Sequence, residues 1–310
     1  MSEFKNDLIL INQTLSEKGF VKIDEFFDNS ILKKVQSEYK KIFTNGQLSK
    51  NKFPGLSVKK KLVSYLNFPL VISSDALSLI TNEKVTSIAK NYLNSDVVLS
   101  YVVAYRTNSV NKALRYYYNT PGVFSGWHSD NQLHVFGHRM LTVMIYLSDV
   151  NNDNGPLELA ENTSKLNLKK RVFMEEELKN FKKDKITGKF GTTVFFDMDG
   201  IHKANVPSVG YRDVLRFSFS PLHGYKEKIY FIPEKIKQMG KNAENILCFE
   251  QNKSAYENFK FSKNKRNLRE IIYAFKEKLI FCLCHIELFS KWYLKRRLRI
   301  LNNNNINYIK

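Results

Sequence analysis

His128 and Asp130 stand two positions apart in the stretch "SGWHSDNQLHVFGHRMLTVMIYL", Ser125 to Leu147. In an extended segment residues i and i+2 point to the same side. An imidazole and a carboxylate are therefore aimed at one point in space, and a metal ion is the occupant that suits both donors. An iron(II) oxygenase site takes two His and one carboxylate on one face and leaves the remaining positions open. The second His must come from elsewhere. His202, in "FFDMDGIHKANVPSVGYRDVLRF", is the best placed, after a strand and a turn. Arg212 follows ten residues later at the start of another strand, and Arg216, four further on, shares its facing. A guanidinium grips a carboxylate in bidentate, charge-matched fashion. An arginine deep in such a site would hold the far carboxylate of a 2-oxoglutarate cosubstrate. Spacing favours Arg212, with Arg216 as its rival.

A lone His-x-Asp triplet is weak evidence, because such triplets are common. The set is more specific: His-x-Asp before a strand, "NGPLEL" after it, a distal His, Asn205 three residues on and Arg212 ten residues on. Other candidates carry less. His134 and His138 lie between the metal motif and the next strand and read as solvated or supporting groups. Asn205 reads as a loop brace and Trp127 as core or pocket wall. Arg106, Asn108 and Tyr118 precede the motif and are candidates for lining the pocket.

The elements that must position these residues change type along the chain. Phe20, Val21 and Ile23 form a short strand. Ile31, Leu32, Val35 and Tyr39 then recur at helical spacing, with Asp28 or Ser30 as the cap. Residues 44–61 are polar, with "NKFPG" as a turn signal. Asp75–Asn94 gives one or two more helices. From Asp96 the pattern turns to strands: "DVVLSYVVAYRTN", "RMLTVMIYLSDV", "KFGTTVFFDMD" and "YRDVLRFSFSPL". Helices first and many short strands after predict an α+β protein built on an antiparallel sandwich or barrel.

Of the 310 residues, 43% are hydrophobic and 13% aromatic, enough for a sizeable core. The formal net charge is +19. It suits an anionic partner such as nucleic acid, a membrane surface or an acidic substrate, or else a Lys-rich solvated surface. Residues 226–310 hold 19 Lys/Arg against 8 Asp/Glu, leaving +8 for the first 225. This asymmetry divides the chain into residues 1–225 and a basic C-terminal extension, residues 226–310. Within the extension, Ile272, Phe275, Leu279, Cys282, Ile286, Phe289 and Tyr293 make one apolar helical stripe ending in the cations Lys291, Lys295, Arg296, Arg297 and Arg299. Such a helix packs on the core, dimerises, or lies on an anionic membrane. The three cysteines Cys248, Cys282 and Cys284 lack metal-ligand spacing and predict neither a disulfide framework nor a zinc site. No apolar run approaches a membrane span, and "MSEFKNDLILINQ" lacks a secretory signal. The expected location is the cytoplasm, with peripheral membrane contact through the C-terminal helix.

From about Lys18 to Leu222 the chain resembles the phytanoyl-CoA dioxygenase-like Fe(II)/2-oxoglutarate-dependent oxygenases. "EKGFVKIDEFFDNSILKKVQSEY" is similar to their opening strand and helix, "GWHSDN" to their metal motif, "LSDVNNDNGPLELAENTSK" to their strand and turn, and "HKANVPSVGYRDVLRFSF" to their distal His and cosubstrate Arg. The resemblance implies a double-stranded β-helix (a jelly-roll or cupin-like barrel) flanked by N-terminal helices. It implies that His128, Asp130 and His202 bind Fe(2+) and that Arg212 binds the C5 carboxylate of 2-oxoglutarate. With O2 as the oxidant, the expected activity is hydroxylation of an unactivated C–H bond in a small-molecule, lipid or saccharide substrate, with release of succinate and CO2. Two departures stand out. The turn at "ENTSK" is rewritten relative to many members, and Ala204 sits where many carry Ser or Thr. Asp130 favours oxygenation over halogenation, because halogenating relatives replace that carboxylate with a small residue. The alternatives are a non-catalytic binding protein on a degenerate oxygenase fold, or an oxygenase acting on nucleic acid. The intact ligand set opposes the first. The lack of a basic and aromatic stripe in the catalytic part opposes the second.

Overall fold

The computed structural model describes residues 2–45, 57–59, 63–66, 68–118, 126–166, 168, 170–224, 226 and 229–253, with Leu279, Leu283, Leu288, Phe289, Trp292 and Arg296. The helices are α1 (Ser2–Lys18), α2 (Asn29–Asn45), α3 (Pro69–Ile72), α4 (Asp75–Ile80), α5 (Glu83–Leu93), α6 (Lys112–Tyr118), α7 (Gln132–Phe136), α8 (Pro233–Met239) and α9 (Lys241–Ile246). The strands are β1 (Phe20–Ile23), β2 (Ser57–Lys59), β3 (Val63–Leu66), β4 (Val97–Asn108), β5 (Leu141–Tyr146), β6 (Leu157–Ala160), β7 (Lys183–Ile186), β8 (Thr193–Asp197), β9 (His202–Ala204) and β10 (Tyr211–Pro221).

Local chemistry sets the helix ends. Asp28 accepts the Ser30 amide at 2.6 Å and opens α2, whose Leu32, Val35, Tyr39, Ile42 and Phe43 are buried. The Asn82 side chain accepts the amides of Lys84 and Val85 and caps α5, which ends where Asn94 turns left-handed at φ 48°.

The strands form an antiparallel seven-stranded sheet, order β1-β8-β5-β10-β4-β3-β2, and a three-stranded sheet, order β7-β6-β9. Alternation along the long strands sorts their residues into two clusters. Leu99, Ala104, Val143, Ile145, Phe195, Leu215, Phe217 and Phe219 meet the helices in the main core. Val103, Tyr105, Met144, Tyr146, Val194, Phe196 and Val214 turn the other way and pack with Leu157, Leu159 and Ile186 of the small sheet. The space between the sheets is thus an apolar barrel interior, the double-stranded β-helix expected from the sequence. Strands with both faces covered read as continuous apolar runs: every residue of "LTVMIY" and "TVFFD" is buried.

Packing does not break where the composition changes at residue 226. Ile229, Phe231, Ile236, Ile246, Leu247 and Phe249 join the same core as α2 and α5. Most of the stripe from Ile272 to Tyr293 lies outside the described residues, as do Cys282, Cys284 and the "NKFPG" turn. No described helix is long and apolar enough to cross a membrane.

Candidate active site

The metal motif is held by backbone rather than by a long strand. His128 is a single bridge residue: its amide donates to the His202 carbonyl at 2.9 Å, and the His202 amide returns the bond at 2.8 Å. The Asp130 amide donates to Met198 O at 3.0 Å. The motif therefore rides on the β8–β9 turn and the first residue of β9. The short helix α7, not a strand, follows Asp130 directly, and β5 begins only at Leu141. At the entry to β6, against the end of β9, the "NGP" turn is fixed by close approach. Gly155 has φ +74°, and a Cβ there would lie 2.3 Å from Asn205 O. Asn205 braces this turn, donating its side-chain amide to Pro156 O and to Glu158, both at 3.0 Å.

This framework brings His128, Asp130 and His202 together, with one donor atom from each lying within 4.8 Å of the others. The two imidazole rings are 4.4 Å apart between centroids, and His202 Nε2 is 3.9 Å from Asp130 Oδ2. Both rings are oriented in the same manner. His128 Nδ1–H donates to Gly126 O at 2.8 Å, and His202 Nδ1–H donates to Gly200 O at 2.9 Å. A carbonyl can only accept, so each Nδ1 carries a proton, and the neutral form of each ring is the tautomer whose lone pair is on Nε2. His202 Nε2 is buried without a hydrogen-bond partner among the described residues. Burial, and then the neighbouring His128, push the His202 pKa down to about 3, so this ring stays neutral. Burial opposes ionisation of Asp130, but His202, Arg216, His128 and Arg171 outweigh it and hold the carboxyl below its ordinary range. Two imidazoles that bind backbone carbonyls through Nδ1 and present Nε2, with one ionised carboxylate, are the donor set an iron(II) centre takes, so the residues fit the metal.

Arg212 and Arg216 both point into the barrel from β10, and their surroundings differ. Arg212 is fully buried, and none of its three guanidinium nitrogens has a hydrogen-bond partner among the described residues. Across the ladder its register partner is Thr107 of β4, whose hydroxyl is also buried and unpartnered. Tyr146, close enough for its pKa to be affected by Arg212, has committed its hydroxyl to Ile186 O at 2.8 Å. A buried guanidinium beside a free hydroxyl has the donors to bind a carboxylate. Arg216 sits beside the Tyr101 and Phe196 rings and reaches Asp130 Oδ2 at 3.3 Å. β10 does not pair with β9: it lies between β4 and β5 in the large sheet, so Arg212 faces the metal motif across the barrel rather than along a shared ladder.

The remaining candidates separate. Arg106 does not line the pocket. It is the register partner of Asp213, which points away from Arg212, and it grips that carboxylate at 2.7 and 2.6 Å beneath Tyr211 and Phe43 on the helix side of the sheet. Tyr118 packs against the barrel interior. Trp127 is buried in a small flanking cluster, donates Nε1–H to Glu175 at 2.6 Å and lies under Lys203 at 4.4 Å. His138 turns its Nδ1 to Phe136 O and is not in the metal cluster, and the His134 side chain lies outside the described residues. Sequence reasoning missed Thr107 and Arg171. Arg171 is half exposed and places Nη2 3.7 Å from Asp130 Oδ1.

The phytanoyl-CoA dioxygenase (PhyH) family profile matches residues 15–206. The chain belongs to that family. It is accordingly an oxygenase dependent on Fe(II) and 2-oxoglutarate. Its fold is similar to solved members of the wider class. The epimerase SnoN, solved with Fe3+, alpha-ketoglutarate and nogalamycin RO, aligns at TM-score 0.56 and 14% identity over 72% of this chain and 87% of its own. EctD from S. alaskensis with bound Fe aligns at 0.53 and 16% over 70% and 78%. HygX from Streptomyces hygroscopicus, with nickel, 2-oxoglutarate and hygromycin B bound, aligns at 0.51 and 12% over 69% and 87%. No curated protein matches the sequence.

Proposed function

We propose that His128, Asp130 and His202 hold the Fe(II), that Arg212 with Thr107 binds the C5 carboxylate of 2-oxoglutarate, and that the enzyme hydroxylates an unactivated C–H bond. The substrate class is a small molecule, with lipids and saccharides included. The observation that carries this reading is the fully buried Arg212 guanidinium without a partner among the described residues, in the same barrel as the His/Asp/His cluster. When bound, iron and 2-oxoglutarate would activate O2 for C–H oxidation, one oxygen atom going to the substrate and the other to succinate, which leaves with CO2.

The chain's own residues do the positioning. Gly126 O and Gly200 O hold the two imidazoles in the tautomer that presents Nε2. The apolar lining from β4, β5, β8 and β10 excludes water from the barrel, which strengthens every charge interaction inside it. Arg212 and Thr107 fix one end of the cosubstrate, so its other end is oriented before the substrate arrives. Asp130 keeps a carboxylate on the metal face and supports oxygenation over halogenation.

The test is a turnover assay with 18O2 on candidate substrates. Hydroxylation places one labelled oxygen in the product and one in succinate, with succinate and product formed in equal amounts. A product without label, at the same succinate yield, would instead assign epimerisation or ring closure to the site.

A further inference from the structure

We infer that the substrate carries an oxoanion group (a carboxylate, sulfate or phosphate) and that Arg216 binds it inside the barrel, with Arg171 at the rim. This rests on the proposed ligand set. Arg216 is unlike the protein's structural arginines. Arg106 holds Asp213 with two bonds of 2.7 and 2.6 Å, and Arg139 holds Asp197 at 2.6 Å. Arg216 makes a single 3.3 Å contact to Asp130 and leaves its buried Nε without a partner among the described residues. Charge-assisted bonds run to about 2.7–2.9 Å when they are the purpose of the pair.

Charge accounting leads to the same conclusion. A divalent metal, Asp130, Arg212 and dianionic 2-oxoglutarate sum to zero. Arg216 and Arg171 remain over, flanking the two oxygens of Asp130. Of the buried carboxylates nearby, Asp213 has Arg106, Asp197 has Arg139 and Glu158 has Lys203, while Asp199 accepts the Leu133 amide. Once a metal takes Asp130, Arg216 is a cation with a 20% exposed side chain, beside two aromatic rings, with no other anion on it among the described residues. Such a charge is costly unless an anion is delivered to it, and the substrate is the component that arrives last.

The experiment uses the full chain loaded anaerobically with Fe(II) and 2-oxoglutarate. Calorimetry measures binding of inorganic sulfate, with uncharged dimethyl sulfone as the neutral probe. A parallel titration follows 2-oxoglutarate by its visible absorption band. The expected result is that wild type binds sulfate and not the sulfone. Arg216→Gln should weaken sulfate by about tenfold to a hundredfold, with the 2-oxoglutarate titration unchanged. Arg216→Lys, which keeps the charge, should lie between and carries the test if Arg216→Gln does not fold. Equal sulfate binding by wild type and either variant overturns the inference, as does absence of sulfate binding by wild type. A loss of 2-oxoglutarate affinity in Arg216→Gln with sulfate binding intact overturns it too and assigns Arg216 to the cosubstrate. Failure of the underlying ligand set is distinguishable, because it removes the absorption band from wild type itself.

Discussion

Replacing Arg212 by methionine should move two measurements in opposite directions. The Arg212 guanidinium is fully buried with all three nitrogens unpartnered among the described residues. An apolar side chain of similar reach removes that burden. Replacing buried ionic groups by apolar residues of similar volume is often neutral or stabilising, by up to about 4 kcal/mol. At roughly 2 °C per kcal/mol for a chain of this size, the midpoint should hold or rise, by up to about 8 °C. Cosubstrate binding should move the other way. A bidentate carboxylate grip is two charge-assisted bonds at roughly 1.5–3 kcal/mol each, so 2-oxoglutarate should bind about 10²–10⁴-fold more weakly. Thermal unfolding of metal-free protein and anaerobic titration of 2-oxoglutarate into the Fe(II) protein give the two values. A variant that is destabilised yet binds 2-oxoglutarate normally would show that Arg212 is a structural cation and refute the reasoning. If Arg216→Met loses the cosubstrate instead, the two arginines have exchanged roles.

Three further outcomes follow from the geometry. His128→Ala and Asp130→Ala should each abolish succinate release while circular dichroism stays native; turnover retained by Asp130→Ala would rule out the facial triad. Gly155→Ala should cost at least about 2 kcal/mol, because the position combines a left-handed φ with a backbone oxygen in the way of a Cβ; an unchanged unfolding midpoint would show that the turn can relax. Burial, and then the charge of Asp197, raise the Asp199 pKa from 3.8 to about 6. The folded state therefore binds that proton more tightly than the unfolded state, and this contribution to stability is lost as pH rises from about 4 to about 6. Asp199→Asn should match wild type near pH 4 and exceed it at pH 7 by up to roughly 3 kcal/mol, as read from denaturant unfolding at the two pH values.

Local chemistry made part of this legible in the sequence. The i, i+2 spacing of His128 and Asp130 and the placement of His202 after a strand and turn found three residues that the fold brings together. The β-rich runs located β4, β5, β8 and β10, because strands covered on both faces are largely apolar and β-branched or aromatic. The alternation of β10 put Arg212 and Arg216 on one face, but parity alone does not separate them. What separates them is their partners, Thr107 for Arg212 against Asp130, Tyr101 and Phe196 for Arg216, and those come from other segments of the fold. The same limit hid Thr107, whose role is set by its register opposite Arg212. Arg106 was misread for a related reason: a one-residue difference in register places it opposite Asp213, on the helix side. Helix α1 escaped notice because its "LILI" run has no clear helical period, and Ile9 and Leu10 are exposed. Helices α8 and α9 are too short to show one.

The central claim is that His128, Asp130 and His202 hold one Fe(II) that 2-oxoglutarate chelates. Anaerobic titration of the cosubstrate into Fe(II)-loaded protein tests it most directly. The account predicts a weak visible absorption band that saturates at one 2-oxoglutarate per chain and is lost in His202→Ala. Folded, iron-loaded protein that shows no such band would contradict it.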